Sequence, residues 1–534
     1  MKELKKWSRI DEISGIFRDP LILSQILLKQ ETIIASKKSS FHEFSKNLLE
    51  NSIMNAKDKK LTYFTSKSID EKLLIRGLTF GNTIVALVLE DTRSGSEYLG
   101  SAAYDNLVRE IYVQNPVFRF SLGRVDFSIL PSDLKNLVMK EVVETKLNEI
   151  PEVWIGRYIY DIHIDQMISD KGAYMYVFLG RDKFNKVYAV KVIRDKTVDN
   201  KPLAVNGDET SIYEVMRSFL NSLEASLITK NVLRKSLVRF GYDDTYADKL
   251  LFYRKYISRP RAMILLKNTY TVEEYVETPP VILEDYADLG DLAGRVSRGC
   301  LNYRESLFLI VRLSGALAII HLLRLLHMDI KPQNILLVKD DSENSGYAPL
   351  LGDFVGLAHL HDSKTELKKV TPEYADPVSL LKGEAGFDYD VYSLGATMYY
   401  ALTGRKIRGR VLMNMVILKN LYGMSVPIKY YLLENTDMVP YLNRIEAIVN
   451  RYRNKEIRLN EAVEDLSRFT DEIDEAEIRE SLKNVPEEYV SVLRKTIDIN
   501  EKNRYSDSFP LWLNIVDVID KLGLSNLLPT QNTF

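Results

Sequence analysis

The stretch His327-Met328-Asp329-Ile330-Lys331-Pro332-Gln333-Asn334, running into the apolar strand Ile335-Leu336-Leu337-Val338, constrains this chain more than any other segment. One polar turn holds a carboxylate, a cation two residues on and a carboxamide five residues on. Moving a phosphoryl group onto a hydroxyl requires a carboxylate near the incoming hydroxyl, a cation near the γ-phosphate and a metal ligand behind it. Asp329, Lys331 and Asn334 supply these in order: Asp329 to orient the hydroxyl and accept its proton, Lys331 to neutralise phosphate charge, Asn334 to hold a metal ion.

Two other segments place single polar residues in apolar surroundings. In Val187-Tyr188-Ala189-Val190-Lys191-Val192-Ile193 a lysine is flanked by apolar residues at strand spacing. Such an ammonium is partly desolvated and needs an anionic partner, either phosphate or a carboxylate. In Leu351-Gly352-Asp353-Phe354-Val355-Gly356-Leu357-Ala358 an aspartate follows a short apolar run, a carboxylate suited to a hard divalent cation.

The surroundings of these motifs predict a two-lobed α+β fold. From Trp154, strand-like runs cover Tyr158–Ile164, Tyr174–Leu179 and Val187–Ile193; helical patterns follow over Ser211–Lys230 and Ala247–Ile257. Another strand, Pro280–Leu283, leads into Glu284-Asp285-Tyr286-Ala287, and the remainder is mostly helical. The expected division is a strand-rich lobe and connector over 151–287 and a helical lobe over 288–528, with an inserted helical module at about 410–485. Residues 1–150 carry no nameable motif. The strand candidate Thr83–Glu90 and an amphipathic helix over Ser132–Leu147 predict a small α/β accessory domain, through which a regulatory partner would act.

The composition narrows the function classes. A formal net charge of −2 gives no global field toward nucleic acid or membrane. Cys300 is the only cysteine, so neither an intramolecular disulfide nor a cysteine zinc site forms. The basic start lacks an apolar segment behind it, and no signal peptide is expected. The apolar run Leu307–Leu326 contains Arg312, His321 and Arg324; a central arginine costs about 2.5–3.5 kcal/mol in a bilayer, so the run is read as a buried helix. A cytoplasmic protein is expected.

Taken in order, these motifs resemble the eukaryotic-type serine/threonine protein kinases. His327–Asn334 resembles the catalytic loop H-R-D-x-x-x-x-N, Val187–Ile193 the V-A-I-K strand, and Leu351–Ala358 the D-F-G segment with Val355 inserted. Thr371-Pro372-Glu373-Tyr374-Ala375-Asp376-Pro377 resembles the end of the activation segment, with Val378 where a glutamate is usual. That leaves its customary ion pair, here with Arg504, lost or rerouted. Asp388-Tyr389-Asp390-Val391-Tyr392-Ser393-Leu394-Gly395 resembles the D-V-W-S-L-G helix, whose aspartate, Asp390, holds the catalytic loop.

The resemblance implies an ATP-dependent kinase with magnesium, or manganese in its place, held by Asn334 and Asp353. Lys191, Gly172 and Val177 would bind the nucleotide phosphates; Asp285 and Ala287, in the connector, would meet adenine. Of the three glycine positions before the lysine strand, filled by Asp170, Gly172 and Met175, only Gly172 matches. Glu284 falls where the family has an apolar gate residue. The carboxylate expected beside Lys191 is Glu224, with Glu214 and Asp248 as alternatives. Met328, in place of arginine, implies activity less dependent on phosphorylation of the activation segment, where Ser363, Thr365 and Thr371 are candidate sites. Lys331 points to the serine/threonine class, and Thr371–Tyr374 to protein substrates. The alternatives are a pseudokinase scaffold and a small-molecule kinase of the same fold.

Overall fold

A computed structural model describes residues 4–529 except 8, 59, 131–134, 136–149, 171, 173, 198–200, 208, 355–356, 361 and 368–369. The helix expected over Ser132–Leu147 thus lies, Lys135 apart, outside the described residues, as does Val355. The chain divides into two compact units, residues 1–149 and 150–534.

The first unit is built on a seven-stranded sheet. The expected strand is present as Thr83–Asp91, paired with Leu73–Phe80, Ser96–Leu99 and, in parallel, Lys5–Lys6. Lys60–Ser68, Val117–Asp126 and Glu31–Ser40 complete the sheet by antiparallel pairing. The helix Phe41–Lys57 starts where the Ser40 hydroxyl accepts from the Glu43 amide at 3.3 Å, a side-chain cap of a bare helix start. It buries Phe41, Phe44 and Leu48, and Phe44 packs against Phe64 and Phe120 with ring centroids 5.8 and 4.9 Å apart. One strand was evident in the sequence. Others, such as Glu31–Ser40, expose most of their side chains and so lack an apolar signature.

The second unit has the expected two lobes. Its six-stranded antiparallel sheet runs in the order Pro260–Ile264, Val281–Asp285, Val187–Ile193, Met175–Arg181, Ile162–Ser169, Tyr158–Ile159. The single strand expected over Tyr158–Ile164 is instead a tight hairpin, turned at Tyr160 with φ +52°. The helix expected over Ser211–Lys230 is two, Glu209–Ser226 and Lys230–Arg239. Thr229 ends the first reading: its hydroxyl caps the Val232 amide at 3.5 Å, opening a new helix. Ala247–Ile257 is a short α-helix, Ala247–Leu251, continued by a 3₁₀ segment, Phe252–Tyr256.

The helical lobe surrounds the helix Tyr303–Leu322. This helix is long and apolar enough to cross a membrane by composition, yet here it is buried within the lobe. Its Arg312, 2% exposed, is met by Glu343 at 2.5 Å, the pairing a buried guanidinium needs. The helices Arg408–Tyr422, Ile428–Glu434, Val439–Arg453 and Leu459–Ser481 occupy the region of the expected module and share a core containing Met415, Ile445, Val449, Leu466 and Phe469. Asp474 fastens the first of them by accepting from the Gly409 and Arg410 amides at 2.7 and 3.2 Å, a carboxylate at a helix N-terminus.

Candidate active site

Between the lobes of the second unit lies a cleft of about 930 Å³, lined among others by Gly172, Val177, Lys191, Asn334 and Asp353. The turn carrying Asp329 is held from below by Asp390, which accepts from the amides of His327 at 2.7 Å and Met328 at 2.9 Å. Asp390 is fully buried on the helix Phe387–Thr403. Bonding two consecutive amides to one carboxylate lets the backbone take φ +65° at Met328, a conformation that persists only where neighbours impose it. Met328 itself packs among apolar residues that include Leu326, Leu360 and Val378.

His327 braces the far side. Its Nε2 donates to the Gly352 carbonyl at 3.0 Å, its Nδ1 faces the Asp329 amide at 3.4 Å, and its ring lies 5.2 Å from that of Phe354. Burial holds the imidazole below the usual histidine range, against the pull of Asp390, Asp329 and Asp353. The ring is therefore neutral near pH 7, which suits one donor and one acceptor nitrogen. Phe354 is buried in the core of the helical lobe, and Asp353 before it has φ +57°.

Asp329 gathers the polar side chains of the site. Its carboxylate accepts from Lys331 Nζ at 2.9 and 3.1 Å, from the Thr371 hydroxyl at 2.7 Å and from Asn334 Nδ2 at 3.2 Å. Asn334 Nδ2 also donates to the Asp329 carbonyl at 2.7 Å. With both amide hydrogens so engaged, the side-chain oxygen is the atom Asn334 offers to the cleft. That oxygen and the Asp353 carboxylate form a hard donor set, short of six ligands, of the kind magnesium accepts when substrate phosphates complete its shell. These residues therefore fit a divalent cation bound together with a nucleotide.

On the strand-lobe side, Lys191 Nζ lies 2.8 Å from Glu284 Oε1. Glu284 is not among the expected partners. Glu224 is exposed on its helix, Asp248 pairs with Lys230 at 2.5 Å, and the side chain of Glu214 lies outside the described residues. Glu284, read as a gate residue, reaches the lysine because the two side chains lie on the same face of the sheet. Asp285 and Ala287 line the cleft, and Asp285 is also bound by Arg261 Nε at 2.8 Å.

The turn at Gly172 has a fastening that the sequence did not suggest. Arg194 Nη1 donates to the carbonyls of Asp170 and Gly172, each at 2.7 Å, while its amide donates to Tyr174 at 2.9 Å. Its guanidinium lies over the Tyr176 ring at 4.3 Å. The ion pair of Arg504 is rerouted rather than lost: Nη2 meets Asp376, two residues before Val378, at 2.6 Å, and both side chains are fully buried.

Comparison with known proteins agrees with this geometry. Residues 258–513 match the family described as protein kinase domain. Calcium-dependent protein kinase 4 of Arabidopsis thaliana is 29% identical over 187 residues, 34% of this chain and 35% of that protein. Serine/threonine-protein kinase ArnS of Sulfolobus acidocaldarius is 26% identical over 275 residues, 48% and 39% of the two chains. Serine/threonine-protein kinase Sgk1 of Homo sapiens is 28% identical over 249 residues, 46% of each. The chain thus spans less than half the length of these relatives. Residues 258–513 carry a protein kinase domain, and the chain is similar to serine/threonine-protein kinases.

Proposed function

We propose that this protein is an active, magnesium-dependent kinase that transfers the γ-phosphate of ATP to serine or threonine hydroxyls of proteins. The observation that carries the reading is the Asp329 carboxylate, bonded at once to Lys331, Asn334 and Thr371 beside the cleft that Lys191 and Asp353 line. Asp329 accepts a hydrogen bond from the incoming hydroxyl, aligns it and takes its proton as the new P–O bond forms. Lys331, already at the Asp329 carboxylate, offsets the charge of the transferring group. Lys191 binds the phosphates of ATP, near Gly172 and Val177, while Asp285 and Ala287 present backbone groups to adenine. Asn334 and Asp353 hold the metal, which when bound neutralises phosphate charge and fixes phosphate geometry.

Thr371 donates its hydroxyl hydrogen to Asp329. A phosphate there would set two anions together, which makes Ser363 and Thr365 the better candidates for autophosphorylation. With apolar Met328 beneath the segment, activity without that modification is expected. Residues 1–150 act as a regulatory or recruiting unit.

The test pairs binding with turnover. Mg-ATP is expected to raise the melting temperature of the wild type, and label from radioactive ATP to pass to a protein acceptor. Asp353→Asn should weaken both. Thermal stabilisation without transfer would make the protein a pseudokinase, and transfer to metabolites but never polypeptides would make it a small-molecule kinase.

A further inference from the structure

Lys191 and Glu284 lie on adjacent antiparallel strands, with Lys191 opposite Ile282 and Ala189 opposite Glu284. All four side chains therefore share one face of the sheet, and Lys191 and Glu284 are diagonal neighbours. Their side chains are 12% and 11% exposed, so solvent and salt screen the pair less than a surface pair. The second carboxylate oxygen of Glu284 lies 3.4 Å from the buried Ser258 hydroxyl. The Ser258 amide in turn donates to the Leu351 carbonyl at 2.8 Å, on the strand that leads to Asp353.

We propose that Glu284 is a positioning residue for phosphoryl transfer, holding the Lys191 ammonium at the height in the cleft where it meets the phosphates of ATP. This rests on the kinase reading of the cleft. An ammonium has three donors, and the one aimed at Glu284 fixes the direction of the others. Since both residues sit on one hydrogen-bonded ladder, the sheet itself fixes the spacing between the lysine and this carboxylate. Ser258 ties the same carboxylate to the strand that delivers Asp353, so the phosphate-binding cation and the metal-binding carboxylate are spaced by one continuous framework.

Steady-state phosphate transfer by the full chain, with ATP varied, tests this in wild type, Lys191→Ala, Glu284→Gln and Glu284→Leu. Glu284→Gln keeps the shape and removes the charge, which guards against a mere folding defect in the leucine variant. The expected result is a fall in kcat of about tenfold or more in both Glu284 variants, with KM for ATP changed by less than about threefold. The rise of the melting temperature with Mg-ATP should be kept in Glu284→Gln, which shows that the variant is folded and binds nucleotide. Wild-type kcat in Glu284→Gln beside an inactive Lys191→Ala would overturn the positioning role and leave the kinase reading intact. A loss confined to KM would also overturn it, assigning Glu284 to nucleotide binding alone. An undiminished Lys191→Ala would instead sink the kinase reading beneath both.

Discussion

On the helical-lobe side of the cleft, Asp329, Lys331 and Asn334 come from one short turn, and their mutual bonds follow from their spacing in the sequence. On the strand-lobe side, Lys191 takes its carboxylate from a neighbouring strand, and the turn at Gly172 is held by an arginine from beyond the lysine strand. The contrast shows where a motif can drift. In a turn, moving a functional residue by one position re-aims it, because the backbone path sets each side chain separately. In a sheet, a given point on one face is within reach of several residues on adjoining strands, so the same role can pass from one element to another. The family match begins at Ser258, after the Gly172 turn and the lysine strand, as that freedom would lead one to expect.

The ion pair of Arg504 extends the contrast into the helical lobe and should show the largest effect on stability. Asp376 replaces the usual glutamate from two residues away, and both partners are fully buried. Arg504→Met leaves the buried Asp376 without its counter-charge, and Asp376→Leu leaves Arg504 only the more distant Asp388, at 3.3 Å; the first is expected to cost about 3–5 kcal/mol in urea unfolding and the second less, whereas the double variant should recover much of the loss. Single losses below about 1 kcal/mol would mean that the swapped pair does not fasten the segment.

Arg194→Ala sharpens the strand-lobe half. Freeing the carbonyls of Asp170 and Gly172 should raise KM for ATP about tenfold with kcat nearly unchanged, the mark of lost binding rather than lost chemistry. A selective fall in kcat would place Arg194 in the chemical step and break the division between the two sides.

The smallest effect concerns pH. The folded His327 imidazole has its pKa lowered, chiefly by burial, from the ordinary 6.5. Above that pH both folded and unfolded rings are neutral, and the ring's contribution is intact. As pH falls through 6.5 the unfolded chain takes up a proton that the folded chain refuses, and stability is lost at up to about 1.4 kcal/mol per pH unit. Urea unfolding between pH 7.5 and 5.5 should show this slope, reduced in His327→Gln; an equal slope in that variant would assign it to other groups.

What the sequence made legible follows the same physics. The catalytic turn, the lysine strand, the connector and Asp390 could be read because each role is tied to a spacing. Glu284 could be seen but its partner could not, since a diagonal contact requires the strand register. Arg194 gave no signal, because a side chain bonding to backbone carbonyls across a turn has no composition of its own. The helix break at Thr229 was legible in principle, as threonine is a common cap, but the apolar Leu227 and Ile228 carried the periodic pattern past it. The first unit yielded one strand because Thr83–Asp91 holds an unbroken apolar run from Ile84 to Leu89, whereas Lys60–Ser68, buried along as much of its length, interleaves Thr62, Thr65 and Ser66 with its apolar residues.

The central claim, that the groups assembled around Asp329 move phosphate onto protein hydroxyls, is tested most directly by mass spectrometry of a protein acceptor after incubation with Mg-ATP. The wild type should leave phosphate on serine or threonine side chains, and Asp329→Asn, folded to the same melting temperature, should leave almost none. Equal phosphorylation by the two proteins would contradict the account.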